Sequence, residues 1–151
     1  MKNLEKLSIS LSGIAGEYFV AGELTRRGYM ASVTLRNSDS IDIHASKIGE
    51  HKLFLIQVKT TQNSKRAWQL TKKSESLQNP NLFYVFVLLK GIQERPDYFI
   101  VPSLIVANYT RKSHANWLAT PGKNGQAHND NNMRIFDDEG GKYLERWDLI
   151  Q

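Results

Sequence analysis

The chain has 151 residues, about two-fifths of them hydrophobic, with a formal charge of +5 and no cysteine. That length suits one domain over residues 1–151 with one real core, and the apolar and aromatic content excludes a disordered polymer. Without cysteine there is neither a disulfide framework nor a thiolate zinc site. No apolar run approaches the roughly 20 residues that span a bilayer, and the N-terminal segment lacks the compact apolar core of a signal peptide. A cytoplasmic protein with no membrane partner is expected. The basic excess suits a polyanion, because each Lys or Arg set against a phosphate releases counterions, although solubility alone accounts for such a charge in many proteins.

In chain order, residues 12–27 read as a helix capped by Ser10 or Ser12, with Arg26 and Arg27 favouring its C-terminal end and Gly28 stopping it. Gly13, Ala15, Gly16, Ala21 and Gly22 cost helix propensity and point to close approach to a sheet. Residues 29–35 form a first strand candidate, followed by a polar turn at Asn37, Ser38, Asp39 and Ser40. Two further strands, 41–46 and 53–61, flank Gly49-Glu50. The continuous apolar run 82–89 between Pro80 and Gly91 reads as a buried strand, and 98–101 as another. Ser103 is placed to cap a helix to about Ala119. The segment 120–132 is a polar loop. Tyr143, Leu144, Trp147 and Ile150 lie at helical spacing, which predicts a helix over 139–150. This succession is α+β, or mixed α/β.

If the strands around Gly49-Glu50 pair as an antiparallel hairpin without a bulge, Ile41 faces Val58, Ile43 faces Ile56 and Ala45 faces Phe54. The other face then pairs Ser40 with Lys59, Asp42 with Gln57 and His44 with Leu55. One register therefore gives an apolar face and gathers the polar groups opposite, as the two-residue period requires. Facing side chains have Cβ atoms about 5 Å apart and diagonal ones about 7 Å. A carboxylate, an amide and an ammonium group thus converge. If the small-residue helix packs over this polar face, Glu17 is the acid best placed to join them. The plain alternative is a wetted sheet face with a snorkelling lysine.

Gly16-Glu17 in a first helix, then Ser40-Ile41-Asp42-Ile43-His44-Ala45, then Ile56-Gln57-Val58-Lys59 resembles the PD-(D/E)XK nuclease superfamily over roughly residues 12–105. The resemblance implies a restriction-endonuclease-like core, a central mixed β-sheet flanked by helices, as in restriction endonucleases and Holliday-junction resolvases. Ile41 stands where the namesake proline would be, and Gln57 where the group usually has Asp or Glu; some homing endonucleases of this superfamily resemble the chain in using Gln there. The implied activity is Mg²⁺-dependent hydrolysis of DNA phosphodiester bonds, with Mn²⁺ as a substitute ion. Asp42 would be the main ligand, the Gln57 Oε1 and Val58 carbonyl neutral ligands, and Glu17 a further acid, while Lys59 would orient the attacking water and stabilise phosphate charge. Gln brings no charge, so metal affinity should fall.

Lys65, Arg66, Lys72, Lys73, Arg111, Lys112 and Lys123 are candidates to track phosphates, with Trp68 and Tyr109 available for stacking; each basic group taken alone also suits a solvated surface. Trp117 and Trp147 are assigned to helix packing. His44 lies on the site face two residues past Asp42 but opposite Leu55, and reads as a packed strand histidine rather than a metal ligand; His51, His114 and His128 show no metal-ligand spacing. DNA is the expected partner, with RNA as an alternative, and a homodimer or higher homo-oligomer is expected because one site cuts one strand. The competing readings are a nucleic-acid-binding module on the same fold, decayed at Gln57, and an interaction or immunity-type protein.

Overall fold

The computed structural model describes residues 6–35 and 40–151. Its elements are helix α1 (Ile9–Arg26), strands β1 (Tyr29–Val33), β2 (Ile43–Lys47), β3 (Leu53–Thr61) and β4 (Ala67–Thr71), a 3-10 turn (Lys72–Glu75), β5 (Leu82–Leu88), β6 (Asp97–Pro102), helix α2 (Ser103–Ala119), β7 (Met133–Asp137) and a final 3-10 turn (Trp147–Leu149). Five strands form one mixed sheet in the order β1-β2-β3-β5-β6, and β4 and β7 form a separate pair. β3 and β5 run parallel; the other neighbours are antiparallel.

β5 explains the layering. All seven of its residues are buried, as a strand covered on both faces requires. Phe83, Val85 and Val87 point into one core, shared with Val20 and Leu24 of α1 and with Ile43, Ala45, Ile56 and Val58 of the hairpin. Tyr84, Phe86 and Leu88 point into a second core with Trp68, Leu70, Phe136 and Val106 of α2. The alternation is the two-residue period of the strand. Burying each such large apolar side chain stabilises the fold by about 1.5–3 kcal/mol.

α1 lies against the apolar face of the hairpin, so the expectation that it covers the polar face is corrected. The physical reason is that Ile43, Ala45, Ile56 and Val58 demand an apolar lid, and the buried stripe Ser12, Gly16, Val20 and Leu24 supplies it. Gly16 permits the approach: a Cβ there would lie 1.9 Å from Thr60 Oγ1. The helix begins earlier than expected. Ser8, rather than Ser10 or Ser12, is its N-cap, accepting from Leu11 N at 3.2 Å. Gly28 ends it at φ +90°, a left-handed conformation that favours glycine.

Three other expectations are corrected. Ser103 does not cap α2. It is the first helical residue, and its buried hydroxyl exchanges hydrogen bonds with the Asn79 backbone at 3.0 and 2.9 Å. Residues 139–150 are not a helix: Asp138 accepts from Lys142 N and Tyr143 N, and Leu144 bridges Phe99 along the open edge of β6. The apparent helical spacing arises because Tyr143 and Leu144 pack on one core while Trp147 and Ile150 pack on the other. Trp68 is buried, with Nε1 donating to the Val87 carbonyl at 2.9 Å, and cannot stack on a base; Tyr109 packs on Phe136 at 4.8 Å. Trp147 packs on Tyr98, whereas Trp117 is partly exposed between His114 and His128. The polar turn expected at 37–40 lies, Ser40 apart, outside the described residues.

Candidate functional site

The β2–β3 hairpin turns at Gly49, φ +86°, and pairs Ile43 with Ile56, His44 with Leu55 and Ala45 with Phe54. Beyond Ile43 this register stops. Asp42 N donates to the Ile56 carbonyl at 2.9 Å instead of continuing opposite Gln57, so the expected pairs Ile41–Val58 and Ser40–Lys59 are not part of the ladder. The released strand positions are answered by a side chain. Asp42 Oδ2 accepts from Val58 N at 2.7 Å and from Gln57 Nε2 at 3.3 Å. The N–H and C=O of one strand residue point to the same side. The Val58 carbonyl therefore also faces the Asp42 side of β3 rather than β5.

Gln57 is 7% exposed and lies opposite Tyr84; Lys59 is half-buried and lies opposite Phe86. Both belong to the sheet face away from α1. There Ser40, Gln57, Lys59, Thr71, Lys73 and Tyr84 line a small cleft of about 60 Å³. Ser40 enters it with φ 65°, a left-handed conformation uncommon outside glycine. The cleft is roofed by β4 and the 3-10 turn. That turn is held by Ser74 Oγ, which donates to the Thr71 carbonyl at 2.8 Å and pairs with Thr110 Oγ1 of α2 at 3.2 Å.

Glu17 is half-buried on α1, on the opposite side of the sheet from the cleft. Its neighbour Gly16 abuts Thr60, the residue after Lys59, which places Glu17 near the end of β3 where the hairpin register is broken. Among the seven other basic residues considered, the structure brings Lys73 to the cleft. Arg66 lies over Phe99 and donates to the Glu139 carbonyl, and Arg111 donates to the Glu75 carbonyl. Lys65, Lys72, Lys112 and Lys123 are exposed on separate segments.

The donor chemistry is sparse. Among the described residues no three His, Cys, Asp or Glu cluster as a metal-holding group. Asp42 offers the charge and the Val58 carbonyl a neutral oxygen. The Gln57 amide presents Nε2 to Asp42, and a half-turn about its last bond would present Oε1 instead. One carboxylate with two neutral oxygens fits a weakly held Mg²⁺ that keeps most of its water.

No protein-family model matches the sequence, and no curated protein does. The structure is similar to that of the bacterial homing endonuclease I-Ssp6803I, with a TM-score of 0.56 at 14% identity over 96% of this chain and 92% of that one. The chain has a restriction-endonuclease-like fold. A weaker likeness is to Hjc, a Holliday junction resolvase of Archaeoglobus fulgidus, with a TM-score of 0.46 at 13% identity over 83% and 84% of the two chains. Within this fold, sequence reasoning missed Tyr84, which sits in the cleft, and the β4 strand and 3-10 turn that roof it. Tyr84 is the one residue of the run 82–88 that carries a polar atom in its side chain. Its parity would have matched Gln57 had the parallel β3–β5 pairing been legible.

Proposed function

We propose that the chain is a metal-dependent endonuclease acting on DNA. The observation that carries this reading is the break in the hairpin register at Asp42, which sets a carboxylate, an amide and a strand carbonyl beside the Lys59 cleft on this fold. Asp42, the Gln57 Oε1 and the Val58 carbonyl would hold Mg²⁺ or Mn²⁺, with Glu17 as the further acid from α1. When bound, such an ion lowers the pKa of a water and withdraws charge from the phosphate. Lys59 orients the attacking water and balances negative charge that grows on the phosphate. The exposed lysines and arginines hold the backbone on either side. A double-strand cut calls for two copies, so a homodimer or higher oligomer is part of the proposal, checked by light scattering with and without DNA.

The test is incubation of the purified chain with supercoiled, linear and branched DNA in Mg²⁺, Mn²⁺ or EDTA. Cleavage that needs the ion and is lost in Asp42→Asn is the expected result; no cleavage of any substrate overturns the reading. One observation favours a second reading, a nucleic-acid-binding module that does not cut: Gln57 turns its donor toward Asp42 and the pair brings a single carboxylate. In that case Asp42→Asn leaves DNA affinity unchanged or raises it, by removing an anion near phosphate.

A further inference from the structure

Helix α1 is apolar on both sides. Its stripe Ser12, Gly16, Val20 and Leu24 is buried on the sheet. Leu11, Ala15, Tyr18 and Gly22 form a second stripe on the opposite side of the helix. Leu11 and Tyr18 are 55 and 67% exposed, and Phe19, on the flank of the stripe, 46%. The chain is 23% charged, yet the charged residues within 9–25 are Glu17 and Glu23, and neither lies on this stripe. Glu23 is buried and accepts from Arg27 and Arg95, and Glu17 is half-buried on the flank away from Phe19. A helix apolar all round belongs in an interior, whereas a wetted helix face carries charged and polar groups. Gly22 is an independent observation. A Cβ there would meet nothing within 4 Å, so unlike Gly16 it answers no contact among the described residues. Glycine nonetheless costs a helix interior about 1 kcal/mol relative to alanine.

We infer that the outer stripe of α1 is a homodimer interface, covered by the same stripe of a second copy of the chain running antiparallel to it. The stripe is its own complement. The spacing of Leu11, Ala15, Tyr18 and Gly22 alternates four and three residues, as in the seam of a helix pair. With a twofold axis between residues 16 and 17, Leu11 meets Gly22 and Ala15 meets Tyr18. A large side chain then faces a small one at every level, and Ile14 meets Phe19 at the edge. Parallel pairing would set Arg26 beside its own copy; the antiparallel pair keeps these cations at opposite ends. Area supports the same occupant. Leu7 is 44% exposed; with whole side chains of this size offering about 150–250 Å², Leu7, Leu11, Tyr18 and Phe19 leave on the order of 400 Å² uncovered. That is about half of the roughly 800 Å² that each partner gives to a standard interface, the rest coming from the small residues and the polar rim. The inference rests on the second copy in the proposed function and depends on neither the ion nor cleavage.

The test is sedimentation velocity of the full chain, without DNA, from low micromolar to submillimolar concentration. Wild type should show reversible exchange between monomer and dimer. Tyr18→Glu sets an unpaired charge against the partner's Ala15 and should raise the dissociation constant at least about a hundredfold. Gly22→Leu displaces the partner's Leu11 and should raise it about tenfold. The melting temperature of Gly22→Leu, read dilute, should equal or exceed that of wild type, because leucine is the better helix former and the space is open. A purely structural role for Gly22 would lower it. The chain has no cysteine, so single cysteines report the register. Under mild oxidation, Ala15→Cys mixed with Tyr18→Cys should form a disulfide faster than Ala15→Cys alone. Wild type that stays monomeric throughout overturns the inference. So does a dimer indifferent to both Tyr18→Glu and Gly22→Leu, which would place the second copy on another face. Ala15→Cys that cross-links fastest with itself overturns the antiparallel pairing. DNA cleavage by a strictly monomeric wild type would refute the interface and leave the nuclease reading standing.

Discussion

Asp42 takes the place of a strand neighbour for Val58: its Oδ2 lies 2.7 Å from the Val58 backbone nitrogen, where a β2 carbonyl would stand if the hairpin register continued. The same carboxylate accepts from Gln57 Nε2 at 3.3 Å. The structural role of Asp42 and the ligand role proposed for it fall on one side chain and can be separated by substitution.

Asp42→Ala leaves the Val58 N–H without a partner and should cost about 1–3 kcal/mol. That lowers the melting temperature by roughly 2–4 °C for each kcal/mol in a chain of this size. Asp42→Asn keeps an oxygen for the same N–H and should melt close to wild type. Thermal melts of both variants check this; equal loss in the two would show that charge, not the hydrogen bond, holds the strand end.

Gln57→Glu sets a second carboxylate beside Asp42, where Nε2 now donates at 3.3 Å. Repulsion should lower the melting temperature in EDTA. Mg²⁺ should restore it, with a larger Mg²⁺-induced shift than wild type shows, because a second charged oxygen strengthens a hard-cation site. Differential scanning fluorimetry with and without Mg²⁺ reads both effects. A variant indifferent to Mg²⁺ would place the ion elsewhere.

The Gly16–Thr60 contact predicts a rescue. Gly16→Ala drives a methyl to 1.9 Å from Thr60 Oγ1, so α1 or β3 must shift, at about 1–3 kcal/mol. Thr60→Ala removes that oxygen, which is buried without a partner among the described residues, and should recover part of the loss. A double-mutant cycle by urea denaturation should give a coupling of about 0.5–3 kcal/mol, and additive effects would contradict the contact.

Acid stability should depend on Glu145. Burial by itself would raise its carboxyl, but hydrogen bonds from Arg95, at 2.6 Å, and from Trp147 Nε1, at 2.9 Å, outweigh it and hold the group below the usual carboxylate range. A lowered folded value means that the stabilisation is present above the unfolded value, about 4.3, and is lost as pH falls through the folded one. The pair is largely open to solvent, so the effect is under about 1 kcal/mol. Glu145→Gln should melt below wild type at pH 7 and converge with it near pH 3; a constant gap across that range would contradict the assignment.

The hairpin was legible because its two faces differ in polarity: only one register puts Ile43, Ala45, Ile56 and Val58 together, and the structure uses it for the core. β5 was legible as a continuous apolar run between Pro80 and Gly91. The break at Asp42 was not, because a carboxylate replacing a backbone carbonyl leaves no mark on periodicity. Nor was the side on which α1 lies, since small residues announce close packing without saying against what. β4 and β7 are short, separated by about sixty residues of chain, and alternate only over Trp68, Leu70, Arg134 and Phe136, so their pairing is a tertiary event. The segment 139–150 misled because two cores draw its apolar residues to opposite sides, which mimics a helical stripe.

The central claim is that Asp42 holds the ion that cuts DNA beside Lys59. The most direct measurement is the single-turnover cleavage rate of supercoiled DNA against Mg²⁺ concentration for wild type, Asp42→Asn and Lys59→Ala, each first shown to melt near the wild-type temperature. The account predicts a saturable Mg²⁺ dependence for wild type, no cleavage by Asp42→Asn at any Mg²⁺ concentration, and a loss of at least about a hundredfold in rate for Lys59→Ala with the Mg²⁺ midpoint unchanged. Cleavage by Asp42→Asn at the wild-type rate, or no cleavage by wild type at any Mg²⁺ concentration, would contradict it.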